Sequence, residues 1–148
     1  PVTGVFTWHP GVAFLGAHDF VLGGRHVRIV LHPKGSGRVG PQTVIDMADG
    51  AVVAGWAADL DSHVDGGVDA VHVWAYPADG RDPIFVGAAE YGGARPDVAA
   101  IYGERFLKSG FGLTVQGLEP GTYDLAVFAY STVRQRFVPA KLARVIVN

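Results

Sequence analysis

Apolar residues along this chain come in short runs, and Gly, Pro or Asp interrupts them roughly every 10 residues, the spacing of a sandwich or barrel rather than of helices. The pattern predicts strands at residues 43–46, 52–58, 70–76, 84–90, 112–115, 123–130 and 141–147. Seven strands in about 105 residues is the size of an immunoglobulin-like domain. In the third of them Val71, Val73 and Ala75 alternate with His72, Trp74 and Tyr76, so that strand has two chemically different faces, one of them for the core. One segment departs from the pattern. Residues 95–102 place Pro96 at a first helical position and Asp97 in the first turn, which predicts a single short helix crossing between strands.

Residues 1–43 differ in kind. Strand candidates at 2–8, 12–15, 19–22 and 26–31 and a turn at 34–37 are too few for a second sandwich. They read as an N-terminal β extension to a domain at 44–148. Such an extension packs on the main domain, completes a partial domain or pairs with another chain. The 21 glycines and nine prolines suit many tight turns. With no cysteine, stability must come from packing without disulfides. A net charge of −2 gives no reason to expect nucleic acid as a partner. No apolar run approaches the ~20 residues of a membrane span. No signal peptide is visible, and any such segment is expected to have been removed or to lie outside this chain. Charged residues make up 18% and mean hydropathy is +0.23. A chain so short of charge is expected to turn apolar surface toward a neighbouring domain or another copy.

Leu118-Glu119-Pro120-Gly121-Thr122-Tyr123 ahead of an alternating strand resembles the tyrosine corner of immunoglobulin-like and fibronectin type III sandwiches. A broader set of motifs runs from Val44 to Val147: Gly55-Trp56-Ala57-Ala58-Asp59, Gly67-Val68-Asp69-Ala70-Val71-His72-Val73-Trp74, Gly87-Ala88-Ala89-Glu90-Tyr91-Gly92, Arg95-Pro96-Asp97-Val98, Ser109-Gly110-Phe111 and Pro120-Gly121-Thr122-Tyr123. Together they resemble a bacterial immunoglobulin-like repeat of large secreted or surface proteins, some of them cell-wall hydrolases. The resemblance implies an extracellular or cell-surface sandwich, with catalysis residing in a separate domain. Residues 16–30 are loosely similar to the last strands of a preceding repeat.

Candidate chemistry is sparse. Six histidines and four serines carry no Gly-x-Ser-x-Gly elbow and no His-Glu-x-x-His pair, so no local signature supports a nucleophile with its base. An enzyme is not expected. Asp59, Asp61 and Asp65 in the 59–69 loop form a weak calcium candidate, because Ca²⁺ takes six to eight oxygens from a flexible turn. The glycine falls late for such a loop, and the alternative is a solvated acidic turn; no cofactor is otherwise expected. Arg95, beside Asp97, could hold a ligand carboxylate or sugar, or clamp a structural acid such as Asp59 or Asp69; the clamp is favoured. Trp56 is expected in the core. Trp74 and Tyr76 share a strand face and either fill the core or form a platform that stacks on a glycan.

The expectation is therefore a non-catalytic structural or adhesive module that contacts other copies of itself or neighbouring domains, as a filament or tandem-array subunit. The alternative is a carbohydrate-binding module of a secreted cell-wall or polysaccharide-active protein. For self-assembly, the terminal strand at 142–148 is a candidate acceptor for a neighbour's residues 2–8 or 26–31, since an open sheet edge invites pairing.

Overall fold

The computed structural model describes residues 16–31 and 40–148. The strands expected at 2–8 and 12–15 and the turn at 34–37 lie outside these. The chain divides into two compact units, Pro1–Gly37 and Arg38–Asn148. The second unit thus starts ahead of the boundary expected at residue 44. The reason is local: Pro41, Gln42 and Thr43 already pair with Asp59, Ala58 and Ala57.

In the first unit β1 (Gly16–Leu22) and β2 (Arg25–Leu31) form an antiparallel hairpin. Its two-residue turn is Gly23-Gly24, both at positive φ, as hairpin turns matching strand twist require. Asp19 stands opposite Arg28 and accepts a bidentate pair of bonds from it.

The second unit is an all-β sandwich with one short helix. Its elements are β3 (Pro41–Ala48), β4 (Val52–Asp59), β5 (Val68–Pro77), β6 (Ile84–Ala88), β7 (Glu90–Gly93), α1 (Pro96–Tyr102), a 3-10 turn at Glu104–Phe106, β8 (Gly110–Thr114), β9 (Gly121–Ser131), β10 (Arg136–Phe137) and β11 (Lys141–Val147). One sheet has the order β3-β4-β8-β7; the other runs β10-β9-β5-β6, with β11 also pairing β9. The run expected at 84–90 is two strands, not one. β6 pairs with β5 in the larger sheet and β7 with β8 in the smaller, so the chain changes sheets at Ala89.

Strand parity places the core. Val71, Val73 and Ala75 of β5 and Tyr123, Leu125, Val127 and Ala129 of β9 face inward against Val53, Ala57 and Phe111. The opposite parity of β4 builds a second, smaller core, in which Trp56 and Ala58 pack with Leu60, Val98 and Phe106 beneath α1. β4 is therefore buried on both faces, which is why its sequence reads as a nearly unbroken apolar run. At the far side of the sandwich β11 runs beside β3, and the turn at Gly50 packs directly on the Ile146 carbonyl, where no side chain would fit.

Tyr123 is fully buried, and its hydroxyl donates to the Glu119 carbonyl oxygen at 2.8 Å. This bond holds the Leu118–Gly121 approach against the start of β9. Tyr123→Phe is expected to lower unfolding stability by about 1–3 kcal/mol, because a carbonyl is left without its donor. A denaturant midpoint that moves at constant slope would show it; an unmoved midpoint would refute this role.

Candidate functional site

Because small aliphatics fill the inward positions of β5 and β9, the large rings of these strands point the other way. His72, Trp74 and Tyr76 of β5 and Phe128 and Tyr130 of β9 share the outer parity, and neighbouring strands add Phe85 and Phe137. Register packs them in rows: Phe85 lies opposite Trp74, His72 opposite Phe128, and Phe137 opposite Tyr130. The result is a ridge of seven rings on the solvent side of the larger sheet. Phe85 remains 47% exposed, and Tyr76 and Phe137 40% each. Leu142, opposite Ala126, and Ile146 extend the apolar surface onto β11 at more than half exposure.

The rings are not coplanar. Trp74 and Phe85 are tilted by 53° at 5.1 Å, His72 and Phe85 meet edge-on at 5.5 Å, and Tyr130 and Phe137 edge-on at 5.1 Å. Edge-to-face pairs of this kind satisfy the ring quadrupoles among themselves. Between them lies an open cavity of about 410 Å³ lined by His72, Trp74, Tyr76, Phe128 and Phe137. Asp124, opposite Tyr76, accepts two 2.8 Å bonds from Arg144, which hold its carboxyl below its usual pKa.

The outer face of the smaller sheet has the opposite relief. The helical crossover covers its Trp56 end and leaves an open trough of about 910 Å³ floored by Ala54, Gly55, Gly110 and Gly112. Gly55 and Gly110 are needed sterically, since a Cβ on either would strike a neighbouring carbonyl oxygen. Gly112 is not: a Cβ there would meet nothing within 4 Å. A mid-strand glycine costs about 0.5–1 kcal/mol against alanine and often marks close approach of another backbone or ligand.

Arg95 is a clamp, but not on the acids expected. Its guanidinium donates to Asp97 at 2.9 and 2.6 Å and to Asp46 of β3 at 2.6 Å. It lies over Gly110 on the outer face of the smaller sheet, whereas Asp59 has the inward parity, so the sheet separates them. Asp69 is exposed and takes no part. Asp59 is instead fully buried between the sheets. Its Oδ2 accepts from Ser131 Oγ of β9 at 2.6 Å and faces Arg134 Nε at 3.4 Å, while Oδ1 accepts from the Asp61 amide. Arg134 also pairs with Asp61 at 2.7 Å. Its guanidinium is thus shared by Asp59 and Asp61. Asp65 turns away to the Gly67 amide and the Ser62 hydroxyl. Among the described residues no three acids or histidines are grouped to hold a metal. Ser131 is fully buried with its hydroxyl committed to Asp59, so it is not presented to a substrate.

Trp56 lies in the second core, and Trp74 and Tyr76 lie in the ridge. Sequence reasoning missed Phe85, Phe128, Tyr130, Phe137 and Arg134. Phe128 and Tyr130 were accessible through parity, because residues 125, 127 and 129 carry the aliphatics and 128 and 130 the rings. Phe137 and Arg134 sit on a turn and a two-residue strand that leave no periodic trace. No family model, characterised protein or solved structure matches the chain.

Two outcomes follow for the ion pairs. Asp59→Ala should destabilise by about 3–5 kcal/mol, since a buried pair loses one member, while exposed Asp69→Ala should stay within about 0.5 kcal/mol. Equal effects in chemical unfolding would refute the inter-sheet role of Asp59. The Arg95 guanidinium lowers the Asp97 pKa to about 2. A depressed folded-state pKa contributes stability that is present above the unfolded value near 4 and is lost as pH falls through about 2. The stability gap between the protein and Asp97→Asn should therefore narrow from pH 6 to pH 2; a constant gap would mean that the pair contributes nothing.

Proposed function

We propose that this chain is a non-catalytic structural or adhesive module of a bacterial extracellular protein, and that it works by docking the ring ridge on a neighbouring protein surface. The observation that carries the reading is the ridge itself. Seven rings stand on the solvent side of a sheet whose inner face is already filled, so they cannot serve the core. Contiguous exposed apolar surface of this kind marks interaction sites, and aromatic anchors dominate protein interfaces. The low charge content supports the same reading. Extracellular placement rests on the resemblance of the Gly55–Asp59, Gly67–Trp74 and Arg95–Val98 motifs to the secreted repeat.

A glycan is the less fitting partner. Sugar platforms need rings lying open and flat with hydrogen-bonding groups beside them. Here the rings are tilted against each other, and three of the seven are phenylalanine. At the Tyr76 end the charged groups Asp124 and Arg144 already satisfy each other.

The double variant Phe85→Glu/Phe137→Glu alters two exposed rings and should leave folding intact. Sedimentation velocity over a wide concentration range should show association of the native protein and its loss in the variant. Affinity electrophoresis in soluble polysaccharides or peptidoglycan fragments should show no retardation. Retardation abolished by Trp74→Ala, without any self-association, would replace this reading with the carbohydrate one.

A further inference from the structure

Among the described residues three arginines are half-buried, and their charges are met differently. Arg95 pairs with Asp97 and Asp46, and Arg134 with Asp61 and Asp59. Arg105, in the 3-10 turn between α1 and β8, pairs with no acid. Its Nε is enclosed without a hydrogen-bond partner among the described residues, and burial lowers its pKa with no neighbouring acid to offset it. A guanidinium carries only donors, and a desolvated charge is ordinarily retained when something pairs with it. The contact that Arg105 does make uses its face: the guanidinium carbon lies 4.6 Å from the centre of the Phe106 ring. That ring is buried, so the guanidinium plane is held in place while its N–H edge stays uncommitted.

Arg105 lines an open cavity of about 340 Å³ formed by the 64–68 segment, the 104–108 segment and Tyr91. Tyr91 is fixed there by its hydroxyl, which donates to the Ala57 carbonyl oxygen at 2.8 Å. Gly66 lets the loop close on it, since a Cβ would come within 2.9 Å of that hydroxyl. Val68 and Leu107 give the cavity apolar surface. Lys108 is exposed at its wall and adds a second cation. Asp65 and Glu104 also line it, and they limit what can enter. A dianion would face both carboxylates, whereas a single carboxylate is matched by the cations that have no acid of their own.

We infer that this cavity binds a carboxylate, with the Arg105 N–H edge donating to its oxygens, Lys108 beside it, and the ligand's short apolar part against Val68 and Leu107. Arginine supplies the planar fork that fits a carboxylate, and lysine does not. A free small acid and the end of a peptide share this chemistry. The site has no lining residue in common with the ring ridge and does not rest on the docking reading.

Nuclear magnetic resonance of the full chain tests it, by titration with acetate, N-acetyl-trialanine, the C-terminal amide of that peptide, and inorganic phosphate. Both acids should shift the Gly66, Leu107 and Lys108 amides saturably. The peptide amide should not, and phosphate should bind more weakly than acetate. Tighter binding of the peptide acid than of acetate would assign a peptide end; equal binding would assign a free acid. Arg105→Met keeps the stem and removes the fork. It should weaken both acids at least about tenfold, and it should melt no lower than native protein because no ion pair is lost. Arg105→Lys should also weaken them although the charge remains, and it serves if the methionine variant does not fold. No saturable shift with either acid, equal binding of the peptide amide, or phosphate binding tighter than acetate would overturn the carboxylate site. Unchanged acid binding by Arg105→Met would overturn the role of Arg105, and a lowered melting temperature beside it would make that arginine structural.

Discussion

The Asp59 carboxylate is the tie on which the sandwich depends. It ends β4 in the smaller sheet, accepts from Ser131 at the end of β9 in the larger one, and has no exposure to water. A buried charge is tolerable only when paired and hydrogen-bonded. Arg134, the Asp61 amide and Ser131 supply that, so the 59–67 loop and the 131–137 turn must be built around this one group. In this loop, a weak calcium candidate in sequence, Asp59 and Asp61 both pair with Arg134.

Fixing the two sheets at this end also fixes what each face can carry. Between them the space is filled by valines and alanines with Leu125, Phe111 and Tyr123, and the other rings of β5 and β9 lie on the outside. On the smaller sheet the single α1 turn region covers Trp56 but stops short of Gly112. Arg95 makes that boundary: its side chain runs across Gly110 to Asp46 and bolts the crossover to β3. The sandwich is left with a ridge on one side and a trough on the other, both products of how the inner core was filled.

Much of this was legible in the chain. Alternation in β5 and β9, glycine and proline spacing and the Pro-Gly-Thr-Tyr corner determine an all-β sandwich with one short helix, because period and turn chemistry are local properties; the split of residues 84–90 between two sheets is not among them. The same alternation sorts Trp74 and Tyr76 onto one face but not onto the outer one. Either face of an amphipathic strand can be the buried one until its partners are known. Tertiary structure decided that, by setting the inward aliphatic side chains of β4, β5 and β9 against each other. It also decided which acid each arginine meets. Arg95 stands two residues from Asp97, so that contact is local, but Asp46 lies 49 residues away. Arg134 lies 73 residues from Asp61. Pairing over such distances depends on which side of a sheet each group emerges from, and sequence spacing does not encode that.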